Sequence, residues 1–198
     1  MTPFYKLSLI AIASLTLSLG QTASAAPFDE VSTVSDTSLA GFQKVYIAPV
    51  TVELAETRTR RNLRDIDAQR PVSDKDKERR AKDTYKDVVQ AFSKKFEIVD
   101  APGADVLTIE MVVTKLVSSR ATLADFGVSP RIDFSSTIYA GGADFDVRMS
   151  QGDTLLVEIS DSNITNLSDG FPRNGTWQDY NRVSNRFARK LSKYVSEN

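Results

Sequence analysis

Between residues 141 and 162 the chain alternates apolar and polar positions with a period of two. Ala143, Phe145, Val147 and Met149 fall on one side, and Asp144, Asp146 and Arg148 on the other, the pattern of a half-buried strand. Leu155, Val157 and Ile159 resume the alternation after a Gly-containing turn. A loop of residues 151–153 sets Val147 opposite Val157 and Phe145 opposite Ile159, with Asp153 in the left-handed bulge position. A shorter loop of residues 151–152 would mix the two faces. The stretch therefore predicts an antiparallel hairpin with one covered face.

Other segments carry either this period or the helical one. Residues 44–53 have the β-branched density of a strand, with Val45 and Ile47 on one face and Pro49 imposing an edge or a bulge. Pro71 ends the segment before it, and Ser73 with Asp76 forms a capping box for a helix. Ala81, Tyr85, Val88, Val89, Phe92 and Phe96 make that helix's apolar stripe. A short strand follows at 96–100 and the longest strand candidate at 105–117, with Leu107, Ile109, Met111 and Val113 on one face. Gly127 and Pro130 mark a loop, and alternation from Ile132 to Ile138 starts a strand that Gly141-Gly142 bends into the hairpin. Thr176 and Asp179 can cap a last helix, whose stripe includes Trp177, Tyr180, Val183, Phe187, Leu191 and Val195.

The predicted order is strand, helix, four strands, helix. A parallel crossover through the first helix followed by a meander gives an α/β two-layer sandwich. Its sheet is mixed but mostly antiparallel, with both amphipathic helices on one face.

Composition adjusts this picture at the N-terminus. One Lys precedes an uncharged run over residues 7–19, followed by the small-residue site Ala23-Ser24-Ala25, the plan of a secretory signal peptide. The run is shorter than the roughly 18 residues that a spanning helix needs. The expectation is a cleavable signal over residues 1–25 with Ala26 as the first mature residue, rather than a retained anchor. Residues 26–40 then form a polar, flexible lead-in, and 41–198 a single domain bearing a charged arm at 54–80. Export to a bacterial periplasm, or secretion, follows. Cysteine is absent, so there is neither a disulfide framework nor an acceptor for a lipid. A net charge of −1 offers no bulk attraction to nucleic acid or an anionic membrane.

The chain also has no His. Triads with an imidazole base, thiol nucleophiles and ordinary zinc sites are thereby excluded, and no phosphate-binding or dinucleotide motif occurs. No cofactor is expected. Asp144, Asp146 and Glu158 are the best carboxylate group; in the register above Asp146 faces Glu158, which could bind a hard cation or raise one pKa. A solvated strand face neutralised by Arg148 explains the same residues. Arg58, Arg60, Arg61 and Arg64 bunch within the charged arm, where they could meet an acidic partner or serve as a solvated spacer. Trp177 could be a binding platform or the closure of the core. The sequons at Asn163, Asn166 and Asn174 share one polar stretch.

KVYIAPV, GADFDVRMSQGDTLLVEISDS and TWQDYNRVSNRFARKL together resemble an uncharacterised family of Gram-negative envelope proteins, a domain of unknown function whose members often look like lipoproteins. The resemblance spans most of residues 41–195, and its motifs are structural. This chain departs from it in lacking the lipidated Cys, which removes the implied anchor. The plan is also loosely similar to small α/β domains of curli-secretion and penicillin-binding-protein-activator lipoproteins, which implies assembly or protein binding. Two readings follow. One is a non-enzymatic interaction or envelope-assembly module, whose partner is an envelope protein or a cell-wall component. The other is a carboxylate-based cation-binding protein or enzyme centred on Asp144, Asp146 and Glu158.

Overall fold

Seven strands form one open sheet in the computed structural model, which describes residues 27–34, 38–54, 71–120, 122, 141–165 and 175–198. In chain order they are β1 (Glu30–Thr33), β2 (Lys44–Ile47), β3 (Thr51–Val52), β4 (Glu97–Val99), β5 (Val106–Val117), β6 (Gly142–Gln151) and β7 (Thr154–Ile164). Two helices, α1 (Asp74–Phe92) and α2 (Gln178–Glu197), and a 3-10 turn at Leu39–Gly41 complete the described elements. The sheet order is β1-β7-β6-β5-β2-β4, with β3 also on β5. β5, β6 and β7 pair antiparallel, as do β7 and β1, whereas β2 pairs parallel with both β4 and β5. The mixed, mostly antiparallel α/β sandwich is therefore present. The meander is corrected in one respect: β4 and β5 flank β2 instead of pairing with each other.

The hairpin keeps its predicted faces and changes its partners. Ala143, Phe145, Val147 and Met149 are all buried, yet Val147 lies opposite Ile159 and Phe145 opposite Asp161. The turn is the two-residue Gly152-Asp153, with Gln151 paired to Thr154. Gly152, at φ 55°, takes the left-handed position expected of Asp153. Parity is restored by a bulge between Met149 and Ser150, which leaves Leu156 and Val157 both buried. The register is thus two residues from the expected one.

Pro49 acts as predicted, since β2 stops at Ile47 and β3 resumes at Thr51. Ala48 and Glu53 still donate to the carbonyls of Ile109 and Val113. The inward residues of β2, β5, β6 and β7 form one core with Val88 and Phe92 of α1 and Phe187 and Leu191 of α2. Phe145 stacks on Phe187 at 4.4 Å between ring centroids. Within the expected α1 stripe, Tyr85 is 38% exposed; Arg80 and Thr84 are buried in its place.

The lead-in is a further correction. Phe28 is buried against the rings of Phe187 and Tyr194, and β1 forms the sheet edge on β7. Asp161 holds it there: its carboxylate accepts from the Asp29 amide at 3.2 Å and from Lys190 Nζ at 2.9 and 3.0 Å. Asn163, the first of the sequons in the polar stretch, lies in β7 and donates to Asp161.

The two helices run side by side in the same direction. Arg80 meets Asn181, Ser184 meets Thr84 and Asp87, Ser192 meets the Ala91 carbonyl, and Lys95 meets Ser196. Ser119, just past β5, receives the Asp179 amide on its hydroxyl and donates its own amide to the Thr176 carbonyl. It thereby satisfies the start of α2 in place of the expected Thr176 cap. Gly141 is required at this corner, because a Cβ there would lie 2.6 Å from Ser119 Oγ.

Candidate functional site

Parallel helices packed by their inner faces leave a groove between their outer ones. Here it holds about 850 Å³. Its sides carry Arg79 and Lys86 from α1 and Arg182, Arg186 and Arg189 from α2. Each recurs at helical spacing opposite the apolar stripe.

The floor is a packed polar network. Arg80, 4% exposed, donates to Asn181 Oδ1 at 2.9 Å and pairs with Asp83 at 3.0 Å. Its guanidinium lies 5.5 Å from the ring centroids of both Trp177 and Tyr180, a cation–π arrangement that fixes the charge in place. Trp177 itself is half-buried against the core, so it closes the end of the helix pair. Tyr180 donates its hydroxyl to the Arg80 carbonyl at 2.9 Å and bonds Thr84. Burial pushes its phenol well above the usual tyrosine range, although the Thr84 bond and the nearby Arg80 charge act the other way. Ser184 donates to Asp87 at 2.7 Å.

This network occupies the groove's acids and leaves its outer cations available. Asp83 is committed to Arg80, and Asp87 to Ser184 and Asn185. Arg79, Lys86, Arg186 and Arg189 make no ion pair among the described residues. With six cations against two carboxylates, the groove attracts anions, and its fixed floor costs no reordering on binding.

On the opposite side of the sheet no described helix covers the strands, and the face is acidic. A shallow depression there is lined by Glu30, Glu53, Asp146 and Glu158, with Arg148 as the cation. The expected face-to-face carboxylate pair is absent: Glu158 lies opposite Arg148, with their ion pair at 3.0 Å, and Asp146 lies opposite Ser160. Asp146 accepts from Ser160 at 2.7 Å and Asp144 from Ser162 at 2.6 Å. The register shift thus gives Asp144, Asp146 and Glu158 separate partners. No group of three or more acidic side chains among the described residues is arranged to hold a metal.

Arg58, Arg60, Arg61 and Arg64 lie outside the described residues, as do Ala25, Ala26, Asn166, Asn174 and the predicted strand start at Ile132. Leu54 and Val72, which bracket the arginine group, pack against the core. No described helix is long and apolar enough to cross a membrane. The groove escaped sequence reasoning. Its one signal was the recurrence of Arg182, Arg186 and Arg189 outside the α2 stripe, and nothing local announced that α1 would lie alongside.

Comparison with curated proteins returns no match. Among solved structures the chain is similar to the PelC dodecamer from Paraburkholderia phytofirmans, at 9% identity and a TM-score of 0.41, covering 84% of this chain and 96% of that one. It is similar too to a DUF4136 family protein from Bacteroides thetaiotaomicron VPI-5482, at 10% identity and a TM-score of 0.41, covering 85% and 97%. The model of a protein of unknown function, DUF3313, matches residues 33–163, well over half of the chain, which therefore belongs to that family.

Proposed function

We propose that the chain is an exported, non-enzymatic interaction module of the bacterial cell envelope that holds an acidic partner in the groove between α1 and α2. The observation that carries this reading is the set of four cations, Arg79, Lys86, Arg186 and Arg189, around a floor whose own acids are already paired. The leader pattern of residues 1–25 supports export. Arg58, Arg60, Arg61 and Arg64 precede α1 in the chain and would add to the same attraction. The carboxylate reading has less behind it, since each of Asp144, Asp146 and Glu158 has a separate neutral or cationic partner.

The test compares the wild type with a variant carrying Arg79→Ser, Lys86→Ser, Arg186→Ser and Arg189→Ser. Both are expressed with the leader, cross-linked in the periplasm and recovered. The wild type should have the intact mass of a chain beginning at Ala26 and bring down partners that are lost as salt rises. The variant should melt like the wild type and lose those partners. A folded variant that keeps every partner at low salt refutes the groove. A mass that retains residues 1–25 refutes the cleaved leader.

A further inference from the structure

We infer that the acidic surface recognised by the groove is the outer sheet face of a second copy of this chain, so that copies associate head to tail. The inference rests on the groove reading above and names its partner. Two strongly charged surfaces lie on opposite sides of the molecule. The helix side carries six cations to two carboxylates, and the sheet side four carboxylates to one arginine. Glu30 and Glu53 make no ion pair among the described residues, matching the unpaired Arg79, Lys86, Arg186 and Arg189 across the molecule. Asp146 adds a carboxylate held, among the described residues, only by Ser160.

The shapes support the same arrangement. β6 and β7 present Arg148 and Glu158 to solvent on a face that no described helix covers, while the helix side is a groove between two parallel rods. A two-fold dimer through either surface would set like charges together. The sheet's full thickness and the helix layer also separate the two surfaces, so one isologous contact cannot include both. Complementarity therefore needs a heterologous contact, which is repeated from copy to copy and closes into a ring or extends as a fibre.

The experiment uses charge reversal in the mature chain recovered from the cell. One variant carries Arg186→Glu and Arg189→Glu, and the other Glu30→Lys and Glu53→Lys. Sedimentation at low salt should give the wild type an average mass of about two chains or more, falling to one chain in 1 M salt, where the screening length is about 3 Å. Each variant alone should sediment as a single chain with an unchanged melting temperature. An equimolar mixture of the two should assemble again, because each supplies the charge that the other now needs. A wild type that stays a single chain at low salt overturns the inference, as does a folded mixture that fails to assemble. If the wild type is a single chain yet the groove variant loses its envelope partners, the groove reading stands and only self-association falls. If assembly is insensitive to salt and to both reversals, copies meet through another surface and the inference falls; if the folded groove variant also keeps every envelope partner at low salt, the groove reading falls with it.

Discussion

Replacing Asp161 by Ala should destabilise the fold more than removing any exposed ion pair, and should do so by releasing the first strand. Asp161 is 5% exposed and accepts from Lys190, from the Asp29 amide and from Asn163 Nδ2 at 2.6 Å. Removing one member of a fully buried pair costs about 3–5 kcal/mol because the other charge is left in a poor solvent. Here the Lys190 side chain is 29% exposed and can turn its ammonium to water, although it would leave the Phe28 ring 4.4 Å away. That relief lowers the charge contribution to about 1 kcal/mol. The Asp29 amide loses its acceptor in a partly buried place, which adds about 1–2 kcal/mol. The expected loss is about 2–3 kcal/mol, clearly more than removal of the exposed Glu78–Lys82 pair should produce. Urea unfolding gives the total, and amide exchange shows where it falls. The amides of β1 should lose protection first, while those of β5 and β6 keep the global value. A loss below about 0.5 kcal/mol, or one spread evenly over the sheet, would refute the view that this carboxylate clamps the lead-in.

Three other outcomes follow from the packing. Phe145→Ala or Val157→Ala should cost about 2–4 kcal/mol in denaturant melts, whereas Asp146→Asn, whose Ser160 partner remains, should cost little. Ser73→Ala should remove about 1 kcal/mol, because its hydroxyl receives the Asp76 amide at 3.1 Å; circular dichroism during melting reads the change. The phenol of Tyr180 is raised by burial, so its contribution to stability is complete below the ordinary tyrosine pKa of about 10 and declines as pH rises above it, because the unfolded chain releases the proton first. Melting temperatures above pH 10 should therefore fall less steeply in Tyr180→Phe than in the wild type, with Tyr194, raised in the same direction by burial, leaving a residual slope in both.

The hairpin faces were legible because strand alternation is a local property, and burial of one face permits only one parity. Its partners were not, because they depend on Leu156 being absorbed as a bulge, and alternation alone does not say which of two adjacent leucines is the extra residue. Ser73 and Asp76 could be found because a capping box spans four consecutive residues. β1 could not: Glu30, Ser32 and Thr33 are polar, and its place depends on Asp161, more than a hundred residues away in the chain. The position of β2 between β4 and β5 was equally hidden, since a parallel crossover fixes handedness without saying which neighbour lies on the far side. Arg80 illustrates the limit for the site. By sequence it is one charge in a charged first half of a helix, and only the arrival of Asn181, Trp177 and Tyr180 makes it a buried support.

That support bears on how the groove would discriminate among anions. Arg80 is held by Asp83, Asn181 and two rings, so its charge contributes a constant field and is not itself available for a new contact. The cations that can reach a ligand lie on the rim, where water and salt compete and a single ion pair is worth less than about 1 kcal/mol. Binding strength would then depend on engaging several of them at once, which a small anion cannot do and an extended acidic surface can. At physiological ionic strength the screening length is about 8 Å, close to the rise of about 6 Å between Arg182 and Arg186 and about 10 Å between Arg79 and Lys86. Neighbouring rim charges therefore reinforce one another, while those at opposite ends act almost independently. Single rim substitutions should accordingly slow association modestly and change its salt dependence, whereas reversal of two neighbours on α2 removes a whole side of the groove. This is the physical reason for testing the groove with paired reversals rather than a scan of single alanines.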